Sequence, residues 1–183
     1  MRWLERLLLV VGIVALGWYA AVKVAATREQ AALSNELEVA RAAVSPAPET
    51  TDVAPMALVG RLEVPRLNMS AIAREGVDVR TLRSAVGHVP GTALPGAEGN
   101  AAFAAHRDTF FGPLKDVRKG DEVLVTTRDG IHRYIVTSTS IVDPSDVSVL
   151  RPTGGKTLTL VTCYPFDYIG SAPSRFIVHA RGM

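Results

Sequence analysis

The 183-residue sequence contains one cysteine, Cys163. A single cysteine excludes an internal disulfide and any cysteine-rich zinc site. Charge of one sign is also scarce: the formal net charge is +2. With no basic patch in the sequence, nothing argues for a nucleic-acid partner. The four histidines, His88, His106, His132 and His179, lack the short spacings of metal ligands. No internal repeat is present, and neither proline nor glycine is in excess. What is left is one ordinary domain with additions.

The first addition is apolar. Residues 7–21 carry no charge, with Trp3 and Leu4 before them and Trp18 and Tyr19 near the end. The run is slightly short of the ~20 residues of a spanning helix. Arg6 and Lys23 can snorkel, and the aromatic residues suit the two interfaces. Residues 1–26 are therefore expected to form a transmembrane signal-anchor. A cleaved signal peptide ending near Val24-Ala25-Ala26 and an interior-buried helix are the competing readings. Residues 27–55 then read as a polar juxtamembrane helix, rich in Ala, Glu and Gln, followed by a Pro-rich linker from Ser45 to Pro55.

From 56 to 183 the pattern changes to short alternating runs broken by turn residues. Ala57 to Val64, Asn68 to Ala73, Asn100 to Ala105, Glu122 to Thr127 and Ile131 to Val142 all read as strands. Val79 to Ala85 reads as a helical turn in which Leu82 and Val86 share a face. Gly87 to Gly99 and Asp143 to Gly155 read as loops. Asp129-Gly130 marks a hairpin. Two last strands follow: Thr157 to Thr162 alternates up to Cys163 and Pro165, and Ser174 to Ala180 is the second apolar run. So many strands with so little helix predict a mainly β domain closed, or nearly closed, into a barrel.

Three reactive residues sit at or beside strand ends: His106, Cys163 and Arg175. An ordinary thiol, with a pKa of about 8.5, is only a few per cent thiolate at neutral pH, and the thiolate is the nucleophile. A catalytic cysteine needs a basic or cationic neighbour, and a leaving amine needs a proton donor. Histidine can serve as that donor. Arginine keeps its charge, so it can steady an oxyanion or hold a carbonyl. Together they suit acyl transfer from a peptide bond through a thioester. Each also has a plain structural reading. Cys163 can be a small buried hydrophobe, His106 can brace a turn, and Arg175 can pair with Asp167 or another carboxylate.

The order of motifs adds a resemblance. Gly60-Arg61-Leu62-Glu63-Val64-Pro65, Gly87-His88-Val89-Pro90-Gly91-Thr92 and His106-Arg107-Asp108-Thr109-Phe110-Phe111 come first. Leu158-Thr159-Leu160-Val161-Thr162-Cys163-Tyr164-Pro165 and Ala172-Pro173-Ser174-Arg175 follow. On these residues the domain resembles a sortase, most of all the class D group. That resemblance implies a closed eight-stranded sortase-type β-barrel with short helices. It makes Cys163 the nucleophile, His106 the general acid and base, and Arg175 the substrate and oxyanion stabiliser. Thr162 would help the oxyanion through its backbone or hydroxyl.

The implied reaction cleaves a Leu-Pro-x-Thr-Gly-like (LPxTG-like) sorting signal after Thr, in secreted proteins. The acyl group passes to an amine of an envelope precursor or a pilin lysine. The implied location is the cell membrane, single-pass, with the domain on the extracytoplasmic side. No cofactor is expected, and Asp143 with Asp146 are too few for the calcium site some sortases have. The Asp143 to Gly155 and Phe166 to Ala172 loops are expected to line the pocket. His88 is expected to brace its loop, and His132 and His179 to sit on strand surfaces. A thiol peptidase hydrolysing the same signal and an inactive membrane-tethered barrel adaptor remain as alternatives.

Overall fold

The computed structural model describes residues 54–183 and, ahead of them, scattered positions between 3 and 31. Those scattered positions are helical and exposed, and they include Val11, Ile13, Val14, Leu16 and Trp18. Among the described residues no helix is long and apolar enough to cross a membrane. The rest of the expected anchor, and nearly all of the expected juxtamembrane helix and linker, lie outside the described residues.

Eight strands form the domain: β1 (Leu58–Val64), β2 (Met69–Glu75), β3 (Val86–His88), β4 (Gly99–Ala104), β5 (Glu122–Thr126), β6 (Ile131–Val142), β7 (Lys156–Tyr164) and β8 (Ser174–Gly182). They close into a barrel in the order β1-β2-β3-β4-β7-β8-β6-β5. Closure leaves no strand edge unpaired. Two neighbour pairs are parallel, β2 with β3 and β4 with β7, and the others are antiparallel. A parallel pair needs a crossover. For β2 and β3 it is α1 (Val79–Ser84), whose first turn is capped by Asp78. The Asp78 carboxylate accepts from the Thr81 hydroxyl at 2.8 Å and from the Thr81 and Arg80 amides at 3.2 and 2.8 Å, and these bonds, the hydroxyl's first, hold its pKa below the ordinary value.

Alternation fixes the register. Leu62 and Val64 on β1, Val123 and Val125 on β5, and Leu158 and Leu160 on β7 point inward with Phe103 and Tyr134. Burying such a side chain contributes about 1.5–3 kcal/mol. Gly60 lets β1 approach β5, because a Cβ there would strike the Thr126 carbonyl oxygen.

The structure departs from the sequence reading at two places. Val86 and His88 belong to β3, not to a helix face and a loop, because pairing with β2 and β4 captures the three residues. Leu82 and Val86 therefore share no helix face. On β7 both faces are covered near Thr159, which is buried along with Leu158 and Leu160, since Asn100 and the β6–β7 connection lie over it.

Candidate active site

Cys163 is the penultimate residue of β7 and Arg175 the second residue of β8. The antiparallel register sets them directly opposite one another. Opposed residues share a face, with Cβ atoms about 4.5–5.5 Å apart. The thiol and the guanidinium are thus neighbours by strand pairing alone.

His106 arrives from the other side. Ala104 pairs with Val161 in the parallel β4–β7 ladder, and the Ala105 amide donates to the Val161 carbonyl at 3.3 Å. Two residues of progress along each strand bring His106 level with Cys163. Beyond it the chain turns back: the Thr109 and Phe111 amides donate to the His106 carbonyl at 3.4 and 3.1 Å. Phe111 anchors that turn in the core with no exposure. The backbone of His106 is therefore fixed while its side chain is exposed. No hydrogen bond to its imidazole occurs among the described residues.

The three residues line one open cavity of about 310 Å³, together with Arg107, Asp108 and Gly170 to Ala172. Cys163 is a free, half-buried thiol. Arg175 donates to the carbonyls of Ser174 and Ala172 at 3.0 and 3.3 Å. Its expected alternative partner Asp167 does not hold it, and among the described residues no carboxylate forms an ion pair with it. Its charge reaches Asp143, whose pKa is lowered first by hydrogen bonds from Ser145 and, less, by Arg175.

Thr162 stands apart. Strand alternation turns it away from Cys163, it is 2% exposed, and its hydroxyl donates to the Ala105 carbonyl at 2.8 Å. That hydroxyl ties β7 to the segment carrying His106, with its proton already committed. On the same inward face Tyr164 stacks on Phe176 and meets Phe166 edge-on, which stiffens the strand ends that carry the thiol and guanidinium.

Of the two loops expected at the pocket, only the second reaches it. Gly170 to Ala172 line the cavity, whereas Ser148 to Thr153 line a different one. Asp143 and Asp146 cap their own turns at Ser145 and Ser148. The remaining histidines also take definite places. His88 is buried, with its Nδ1 2.6 Å from the Glu75 carboxylate. His132 and His179 are half-buried, and burial lowers the pKa of both. Among the described residues no group of three potential metal ligands converges.

Sequence reasoning did not find the role of Arg107. Its guanidinium donates to the carbonyls of Tyr168 and Gly170, the latter at 3.3 Å. One residue beyond His106, it clamps the β7–β8 connection that forms the opposite rim. The only signal for this was its place in His106-Arg107-Asp108.

Comparison with known proteins agrees with this architecture. Residues 62–183 match the Sortase domain family model. Sortase D of Bacillus subtilis is 34% identical over 162 residues, which cover 87% of this chain and 79% of that protein. Among solved structures, the Sortase D5 transpeptidase of Clostridium perfringens superposes with a TM-score of 0.73 at 23% identity, covering 85% of this chain and 99% of that one. A sortase of Actinomyces oris does so at 0.65 and 30% identity, covering 77% and 87%. The chain belongs to the sortase family of cysteine transpeptidases.

Proposed function

We propose that this chain is a membrane-anchored transpeptidase that joins secreted proteins bearing an LPxTG-like sorting signal to an amine of the cell envelope. Cys163 is the nucleophile. Its thiolate sulfur attacks the carbonyl carbon of the signal's Thr, and the carbonyl oxygen becomes an oxyanion beside the Arg175 guanidinium. The Thr–Gly C–N bond breaks as protonated His106 gives its proton to the departing Gly nitrogen, leaving a thioester on Cys163. An acceptor amine then attacks the thioester carbonyl. His106 takes up the amine proton, the new amide forms, and the thiolate leaves. Thr162 is a positioning residue that ties β7 to the His106 segment, and any help it gives the oxyanion comes from its backbone.

The observation that carries this reading is the convergence of a free thiol, an unencumbered imidazole and a forked cation on one open cavity, in a chain of this family. Arginine supports charge there without competing as an acid, since its proton stays on. For the membrane, the support is the run of exposed apolar helical residues Val11, Ile13, Val14, Leu16 and Trp18, a surface of the kind that a lipid bilayer covers. In this reading residues 1–26 anchor the chain, 27–55 form a stalk, and 56–183 work on the extracytoplasmic face.

The test is product analysis. Full-length protein in detergent is mixed with LPxTG-type peptides and a small primary amine, and the products are read by mass spectrometry. Amine-capped peptide ending at Thr, absent with Cys163→Ala, is expected. Only hydrolysed peptide would turn the assignment to a thiol peptidase. Intact peptide throughout would leave an inactive barrel.

A further inference from the structure

A second cavity lies on the same outer face of the barrel as Cys163, further along the same strands. By alternation, Cys163, Val161, Thr159 and Thr157 share one side of β7, opposed by Arg175, Ile177, His179 and Arg181 of β8. The cavity, about 320 Å³, opens at the Thr157 and Thr159 end of that face.

Its walls are held in place. Asn100, 3% exposed, donates from Nδ2 to the Val149 carbonyl at 3.1 Å, and its Oδ1 accepts from the Thr159 hydroxyl at 2.9 Å. This fastens the β6–β7 connection as a roof over the strands. His179 Nδ1 lies 3.4 Å from the Thr159 oxygen, whose proton is committed to Asn100. The ring therefore donates from Nδ1 in that contact, and His179 lines the cavity.

The lining has a one-sided charge. Arg151 and Arg181 supply it, beside the His179 ring and hydroxyls from threonines and a serine, and the lining contains no Asp or Glu. Asp146, on the same connection, feels Arg151, but its carboxylate is engaged by Ser148 and it does not line the cavity. Burial lowers the pKa of His179.

We propose that this cavity binds a carboxylate side chain of the acyl-donor protein, one to three residues upstream of the sorting signal's leucine. The assignment rests on the sorting reading above and adds a specificity site to it. Distance sets the position: Thr159 is four residues along β7 from Cys163, about 13 Å. An extended peptide covers about 3.3 Å per residue, so its leucine, three residues from the scissile carbonyl, falls just short of the cavity. The roof sets the direction. The leaving half of the signal must clear the site for the acceptor amine, whereas the acyl half stays through the thioester and can lie under a fixed cover. Among unmodified side chains, Asp and Glu are the ones that answer two guanidiniums and a histidine.

The experiment compares two LPxTG-type peptides, one with Glu and one with Gln at the positions just upstream of Leu. KM and kcat are measured with the full chain, and binding is measured with full-length Cys163→Ala. The Glu peptide is expected to have a KM and a dissociation constant about five- to tenfold lower, with kcat unchanged. Arg151→Gln with Arg181→Gln should bring the ratio to about one, with the Gln peptide's kcat and the melting temperature preserved. The His179 ring, followed by NMR, should titrate at higher pH with the Glu peptide than with the Gln peptide. Equal constants for the two peptides, a ratio that survives the double substitution, or the same gain from Glu placed after the Gly would overturn the site while leaving the sorting reading intact. Failure of both peptides to bind or to acylate Cys163 would overturn the sorting reading, and this site with it.

Discussion

His88 and His106 sit on neighbouring strands of one barrel and are treated in opposite ways. His88, at the end of β3, is 1% exposed. Its Nδ1 meets the Glu75 carboxylate at 2.6 Å, its Nε2 faces the Ala93 carbonyl at 2.9 Å, and its ring packs edge-on against Phe103. Thr92 completes the arrangement, donating to Val89 and accepting from the Ala102 amide. His106, just past the end of β4, has a fixed backbone and a ring left to solvent and to the cavity. A ring held at both nitrogens braces three strands and has no freedom to pass a proton to a bound peptide. A ring held only through its backbone keeps both nitrogens for substrate. The fold invests its hydrogen bonds in one histidine and withholds them from the other.

That contrast can be tested by substitution. The largest effect belongs to the open end: Cys163→Ala should lower transpeptidation by at least about four orders of magnitude with an unchanged melting temperature. Next, His106→Gln should cost about 10²–10⁴-fold in kcat, again with the fold intact. His88→Ala should do the reverse. Removing the ring leaves Glu75 buried without its partner, at a cost of about 3–5 kcal/mol in urea unfolding, while kcat of the remaining folded protein stays within a few-fold. If His88→Ala abolished turnover without loss of stability, the division between the two histidines would be wrong. The smallest effect is expected for Arg107→Ala, which frees the β7–β8 connection from its clamp. KM should rise by about tenfold or less, with kcat little changed. Restoration by Arg107→Lys would assign the effect to charge, since Lys lacks the two-pronged reach to Tyr168 and Gly170.

The legible parts of the fold were those with a local period. β7 reads from the Leu158 and Leu160 alternation and stops within a residue of the expected point, before Pro165. The Asp129-Gly130 turn delivers β6 from β5 as the hairpin signal requires. β3 was illegible because three residues carry no period. Its middle member Gly87 signals a loop, yet it is there because a Cβ would strike the Gly76 carbonyl oxygen of the crossover. The site was only half legible. Cys163, His106 and Arg175 announce themselves as chemistry at strand ends, but His106 and Cys163 lie 57 positions apart in the chain. Only the parallel β4–β7 register joins them, and nothing local encodes it. The same holds for Asn100, whose tie to Val149 decides which loop roofs which cavity. The resemblance named the three residues together; strand pairing supplies the physical reason they meet.

The most direct test of the central claim is intact-mass analysis of the full-length protein during turnover of an LPxTG-type peptide without added amine, followed by peptide mapping. The account predicts a mass increase equal to the acyl half of the peptide, on Cys163, that hydroxylamine discharges. Arg175→Ala should slow its appearance by about 10²–10³-fold, and Cys163→Ala should never show it. Product formation without any adduct on Cys163, or with the adduct on another residue, would contradict the account.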